Sequence, residues 1–214
     1  MKRTKISFVG EKPIFTGSPQ IVPGGFNLDR EKQRFSVGDI IPAGTLAIFD
    51  EVTRKVQIVK TAKVKAIGTK DKKVITLYSN GYCSPCFSVG DKLLQESVSG
   101  TFEDAPSIVS IEKPGVSNAP YVITLSAEIS GLAVDDVLVE VVESSTNAAV
   151  IGEPNSLTIE EVTVKEFETA IDVTEDTMQY AVMERRVLPI PDSMKDSTKR
   201  YLKANSHIRL SQTY

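Results

Sequence analysis

The chain is poor in the side chains that most enzymes use. Among 214 residues there is one histidine, His207, one pair of cysteines, Cys83 and Cys86, and no tryptophan. A Ser-His-Asp or Cys-His arrangement would have to be built around His207, and no serine or cysteine stands in a strand-turn-helix elbow that could serve it. One imidazole and one thiol pair, far from each other in sequence, also fall short of the four nitrogen or sulfur ligands of a structural zinc site. No apolar stretch approaches the roughly 20 residues of a spanning helix, so no membrane segment is expected. The basic opening Met1 to Gly10 lacks a following apolar signal core, and synthesis in a cytoplasm is the expectation. Sustained helical periodicity is scarce too.

What is present reads as β structure. Apolar residues make up 41% of the chain. From Phe35 onward they fall in short runs rich in Val, Ile, Thr and Leu, parted by turn residues. The runs place strands at Thr45–Phe49, Val56–Lys60, Lys63–Ile67, Val74–Tyr78, Lys92–Gln95, Ile108–Glu112, Tyr121–Ser126, Val137–Val142, Leu157–Val164 and Tyr180–Leu188. Between the third and fourth, Gly68 to Lys73 is a polar hairpin connection. Residues 1–35 hold Pro13, Gly17, Pro19, Pro23, Gly24 and Gly25 without a period of 2 or 3.6, which predicts an extended arm that orders on a partner. Two helix candidates remain, a short segment around Glu175–Met178 and a better one at Met194–Ala204, the latter capped by Asp192 or Ser193 and stopped at Asn205. The chain is therefore expected to be all-β apart from that short C-terminal helix.

A recurring heptad sharpens this. Phe35-Ser36-Val37-Gly38-Asp39-Ile40-Ile41 returns as Phe87-Ser88-Val89-Gly90-Asp91-Lys92-Leu93, and more loosely as Leu132-Ala133-Val134-Asp135-Asp136-Val137-Leu138. An apolar anchor, a Gly-Asp corner tolerant of positive φ and a following strand describe the turn into a barrel. Gly38, Asp39, Gly90 and Asp91 are its structural residues, and Pro42 with Gly44 form a second corner.

Charge is segregated. Residues 1–35 carry seven bases and three acids, and residues 192–214 carry five and two. The intervening body carries 13 bases and 23 acids. Basic ends on an acidic body suit docking onto an acidic protein surface, with Lys2, Arg3, Lys5, Lys199, Arg200, Lys203 and Arg209 as the contacts. Phosphate would repel the long acidic body, so no nucleic-acid partner is expected.

The remaining motifs lead away from chemistry. Cys83-Ser84-Pro85-Cys86 has the C-x-P-C form of a redox motif, but the residues after it turn into a strand, whereas a low thiol pKa needs a helix N-terminus there. The two cysteines are read as structural, with a disulfide possible after release from a reducing cell. Gly24-Gly25 lacks the spacing of a phosphate loop. Glu160-Glu161 and Asp135-Asp136 lack calcium-loop spacing. Tyr180, Tyr201 and Tyr214 are too dispersed to stack bases. No cofactor, metal or catalytic residue is assigned, and the chain is read as a non-enzyme.

The stretch Val37-Gly38-Asp39-Ile40-Ile41-Pro42-Ala43-Gly44-Thr45-Leu46-Ala47-Ile48-Phe49-Asp50, with Arg54-Lys55-Val56, resembles head decoration and head fibre proteins of tailed bacteriophages. Ala149 to Gly152 and Leu157–Val164 look like the second half of such a barrel. Arg185 to Pro191 and Lys203 to Arg209 are similar to tails of virion proteins of phages of gut bacteria. The resemblance covers residues 36–60 and 148–210, about half the chain.

It implies a split β module at 36–62 plus 146–191, carrying an inserted β-barrel at 63–145, with an arm at 1–35 and a helix and tail at 192–214. It further implies a homo-oligomer, a trimer by preference, that binds the major capsid protein on the outside of a virion assembled in the host cytoplasm. The inserted module is a departure from the family pattern. It opens an alternative, a glycan- or host-surface-binding module anchored on a larger assembly.

Overall fold

The computed structural model describes residues 13–17, 19–22, 25–80, 82–96, 99–113, 120–175 and 179–212. Lys2, Arg3, Lys5, Tyr214 and most of the expected Glu175–Met178 helix lie outside them. The described chain is all-β. Its strands are β1 (Phe15–Thr16), β2 (Phe26–Leu28), β3 (Ile40–Ile41), β4 (Leu46–Asp50), β5 (Lys55–Ile58), β6 (Thr61–Ile67), β7 (Val74–Leu77), β8 (Lys92–Gln95) and β9 (Ile108–Glu112). They continue as β10 (Tyr121–Leu125), β11 (Val137–Ser144), β12 (Asn147–Val150), β13 (Ser156–Leu157), β14 (Val162–Thr163), β15 (Ala170–Ile171), β16 (Tyr180–Met183) and β17 (Ile208–Ser211).

Two rings of strands organise the molecule. In the first, the order is β13-β4-β5-β2-β15. Its edges are tied together by a Thr158–Val173 bridge and by the Thr174 N–H donating to the Leu157 carbonyl at 2.9 Å. In the second, the order is β12-β11-β6-β7-β10-β9, with β8 paired to β11. The far edge returns to β8 through a Lys92–Ser107 bridge and the Leu93 N–H to Pro106 carbonyl bond of 2.9 Å. Closing a sheet in this way pairs edges that would otherwise be open. The second ring spans Thr61 to Val150, a few residues wider at each end than the 63–145 read from the sequence.

Period-2 patterning explains the interiors. β10 alternates buried and half-buried side chains, with Tyr121, Ile123 and Leu125 pointing inward. Together with Val64, Ile75, Leu77, Phe87, Leu93 and Ile108 they fill the second ring. Phe26, Leu28, Phe35, Ile41, Val56, Ile58 and Ile171 fill the first. A third sheet, β1-β16-β17, covers a separate apolar cluster built on Ile14, Leu46, Val59, Val139, Val182, Ile208 and Leu210.

Three expectations need correction. The helix at Met194–Ala204 does not form; a 3-10 turn at Asp192–Met194 leads into a reversal in which Lys195 bridges Leu202 and Tyr201 bridges Arg209. The Asp196 carboxylate accepts the N–H groups of Arg200 and Tyr201 at 2.8 and 3.0 Å, so it takes donors that a helix would need. Residues 13–35 are not a free arm: β1 pairs with β16, Ile21 bridges Thr174, and β2 lies between β5 and β15. Ile14, Val22, Phe26 and Leu28 are buried there, and that apolar content holds the segment in place. The long strand expected at Leu157–Val164 is two short ones in different sheets, parted by a corner at Ile159 to Glu161.

Candidate functional site

The recurring heptad builds three copies of one turn. Asp39, Asp91 and Asp136 each accept, on Oδ2, the backbone N–H three residues earlier, from Ser36, Ser88 and Ala133, at 2.7, 2.7 and 2.6 Å. The residue before each acid has positive φ: Gly38 at 89°, Gly90 at 91° and Asp135 at 74°. Each turn then clamps one residue of a neighbouring segment with two backbone bonds, Val164 in the first case, Ile108 in the second and Val64 in the third, all at 2.8–2.9 Å. The middle valines, Val37, Val89 and Val134, are exposed. At the other corner, Gly44 has φ 75° and the Pro42 carbonyl accepts the hydroxyls of Thr45 and Thr158 at 2.6 and 2.8 Å.

Two of these turns meet at the joint between the rings. The Ser88 hydroxyl lies 3.0 Å from both the Asp39 carboxylate and the Arg34 carbonyl. Beside it Lys60 is fully buried, in the two-residue link from β5 to β6. Its ammonium reaches the Arg34 carbonyl at 2.6 Å, Asp91 at 2.7 Å and Glu140 at 3.2 Å, and it lies 4.2 Å from the centre of the Phe35 ring. Gln33 closes the joint: its amide donates to Glu140 at 2.8 Å and pairs with both backbone groups of Ile58.

Burial opposes ionisation of Asp39, but Lys113 at 2.6 Å, the Ser36 N–H and the Ser88 hydroxyl outweigh it and hold the carboxyl below its ordinary range. For Glu140 burial dominates. Lys60 opposes it and Asp91 adds to it, and the carboxyl is pushed up to about 7.

The sequence singled out Asp39 and Asp91 as turn residues, and the structure brings both into this joint. Lys60, Glu140 and Gln33 were missed. A signal existed, since Lys60 and Glu140 are each a lone charge inside an apolar run, Ile58 to Ala62 and Val137 to Val142. Such residues are buried only when paired.

Cys83 and Cys86 are free, buried thiols. Burial pushes them up to about 11 and about 12, so neither is a thiolate at neutral pH. No long helix begins at the motif. His207 is exposed. Among the described residues no group of three or more His, Cys, Asp or Glu could hold a metal. Of the basic candidates, Lys199 pairs with Asp192, and Lys203 pairs with Glu153 at 2.5 Å. Arg200 and Arg209 are exposed and make no ion pair with a described residue. A cleft of about 780 Å³, lined by Lys63, Tyr78, Asn80, Gln95, Asp135 and Glu184 among others, separates the second ring from the segment after β16.

Compared with known proteins, this chain matches no family model, no curated protein and no solved structure.

Proposed function

We propose that this protein is a non-enzymatic structural protein that binds the outer surface of a bacteriophage capsid and stabilises the shell as a homo-oligomer, a trimer by preference. The observation that carries the reading is the disposition of its reactive groups. The buried carboxylates and the buried lysine brace turns and the joint, and the thiols are buried and protonated. What faces outward at the C-terminal reversal is a basic surface with Arg200 and Arg209 unpaired among described residues. The corner at Pro42 to Thr45, on which the resemblance to head decoration proteins rests, opens into β4. Shape and repeated contact supply such a function without turnover.

Co-sedimentation with capsids lacking the protein tests the reading. The full chain is expected to pellet with the shells and raise their melting temperature, and the Arg200→Glu, Arg209→Glu double variant is expected to pellet poorly. A chain that stays in the supernatant at micromolar concentration refutes it. The cleft beside the second ring, with Tyr78 at its wall among polar and apolar side chains, favours a second reading as a glycan-binding module. A glycan array without signal removes that one.

A further inference from the structure

We propose that the joint between the rings is a proton-operated latch, in which one proton held at Glu140 locks the two rings together and its loss loosens them. Lys60 is the one fully buried ammonium among the described residues, and it faces two carboxylates, Asp91 and Glu140. The third, Asp39, is answered by Lys113, whose side chain is half exposed. At ion-pair distance, among the described residues, three carboxylates therefore meet two ammonium groups, with the Arg34 guanidinium packed over Gly90 nearby. An unpaired buried charge is costly enough that the group takes a proton instead.

Geometry decides which group takes it. Asp91 accepts two short bonds on Oδ2, from Lys60 and from the Ser88 N–H that it caps, both at 2.7 Å. Glu140 stands farther from Lys60, at 3.2 Å. Its Oε2 accepts the Gln33 amide, whose orientation is fixed because the same side chain bonds both the N–H and the carbonyl of Ile58. Oε1, which faces Lys60 across the longer of the ammonium's two carboxylate contacts, is the oxygen that takes the proton. Burial pushes Glu140 up to about 7, in agreement with this count.

The proton has a route to solvent. Glu140 and Asp91 line a cavity of about 350 Å³, with Gln33 beside them. Arg30, Lys32, Arg34 and Lys92 are its bases and Glu31 and Glu143 its other acids. Cys86 stands near the same charges from the side of the first ring's core.

The mechanical consequence follows from where the groups sit. Glu140 belongs to β11 of the second ring, while Gln33 and Ile58 belong to the first. Ionised Glu140 places a net negative charge in the joint, and the relief is to admit water between the rings. The folded carboxyl is raised above its unfolded value, so the folded chain binds the extra proton between about pH 4.5 and 7. Stability is therefore greatest at the acid end of that window, falls as pH rises through it, and is level above it.

The experiment is a carboxyl carbon NMR titration of the full chain with thermal melts from pH 5 to 8. Glu140 is expected to titrate near neutrality, and the melting temperature to fall by roughly 5 °C across the range. Glu140→Gln is expected to remove most of that fall, and Glu161→Gln, at an exposed corner away from the joint, to leave it intact. Alkylation of Cys86 reports the opening: its rate in the unmodified chain relative to Glu140→Gln is expected to rise severalfold between pH 6 and 8. A Glu140 midpoint near 4.5, an unchanged pH slope in Glu140→Gln, or a flat alkylation ratio would overturn the latch. If Glu140→Gln does not fold, the titration of the unmodified chain still decides the matter.

Discussion

Single residues in this chain carry constraints of quite different weight, and two glycines show why. Gly44 and Gly38 both have positive φ, 75° and 89°. A Cβ on Gly44 would lie 2.3 Å from Val187 Cγ1 and 3.0 Å from Ile14 Cδ1, inside the third apolar cluster. A Cβ on Gly38 would meet nothing within 4 Å. Gly38→Ala is therefore expected to cost only the left-handed backbone penalty, about 1–2 kcal/mol. Gly44→Ala adds overpacking to it and is expected to cost about 3 kcal/mol or more. Urea denaturation of the two variants checks the ranking, and equal losses would mean that the corner yields where its packing says it should not. The sequence marked both glycines as turn residues. It could not rank them, because Val187 and Ile14 are far from Gly44 along the chain.

At the scale of elements, the repeated turn was legible in the sequence in two copies and only faint in the third. Asp135 stands where the other copies have glycine, so the pattern weakens although the bonds do not. An aspartate tolerates the left-handed region better than most residues do, which lets one backbone shape survive the change. The expected C-terminal helix failed for a related reason. Local spacing from Met194 to Ala204 fits a helix, but Met194 and Leu202 are drawn into the third cluster while Asp196 caps a tight reversal. Tertiary packing outweighed a weak propensity.

The three capping acids are not equivalent. Asp136 serves a surface turn and also takes the Gln95 amide at 2.9 Å. Asp39 caps its turn and also accepts Ser88 and Lys113 in the joint. Asp136→Ala is expected to cost about 1 kcal/mol and Asp39→Ala about 2–3 kcal/mol, since more donors are left unsatisfied in a buried site. Equilibrium unfolding of both variants at pH 7 measures the difference. An Asp39 loss no larger than that of Asp136 would show that the joint is not held by these bonds.

For the whole molecule, the question is whether the second ring is an insertion that could be removed. Its strands are consecutive, Thr61 to Val150, and the sequence reads as one module spliced into another. The packing argues otherwise. Cys83 and Cys86 come from the spliced segment, yet they belong to the apolar cluster of the first ring with Phe26, Ile41 and Ile171. Val139 of β11 packs in the third cluster with Leu46 and Val59. Lys60 and Gln33, outside the segment, complete the polar joint with Asp91 and Glu140 inside it. Removing residues 63–145 would take side chains from two apolar clusters and leave Lys60 without either carboxylate. Each such loss costs on the order of 2–5 kcal/mol, comparable to the 5–15 kcal/mol that stabilises a typical domain. The intact chain is therefore expected to melt in one calorimetric transition. A chain with residues 63–145 replaced by a short Gly-Ser linker is expected to show no cooperative transition. Two resolved transitions in the intact chain, or a cooperative melt of the shortened one, would show that the rings fold as independent units and that the shared clusters contribute little.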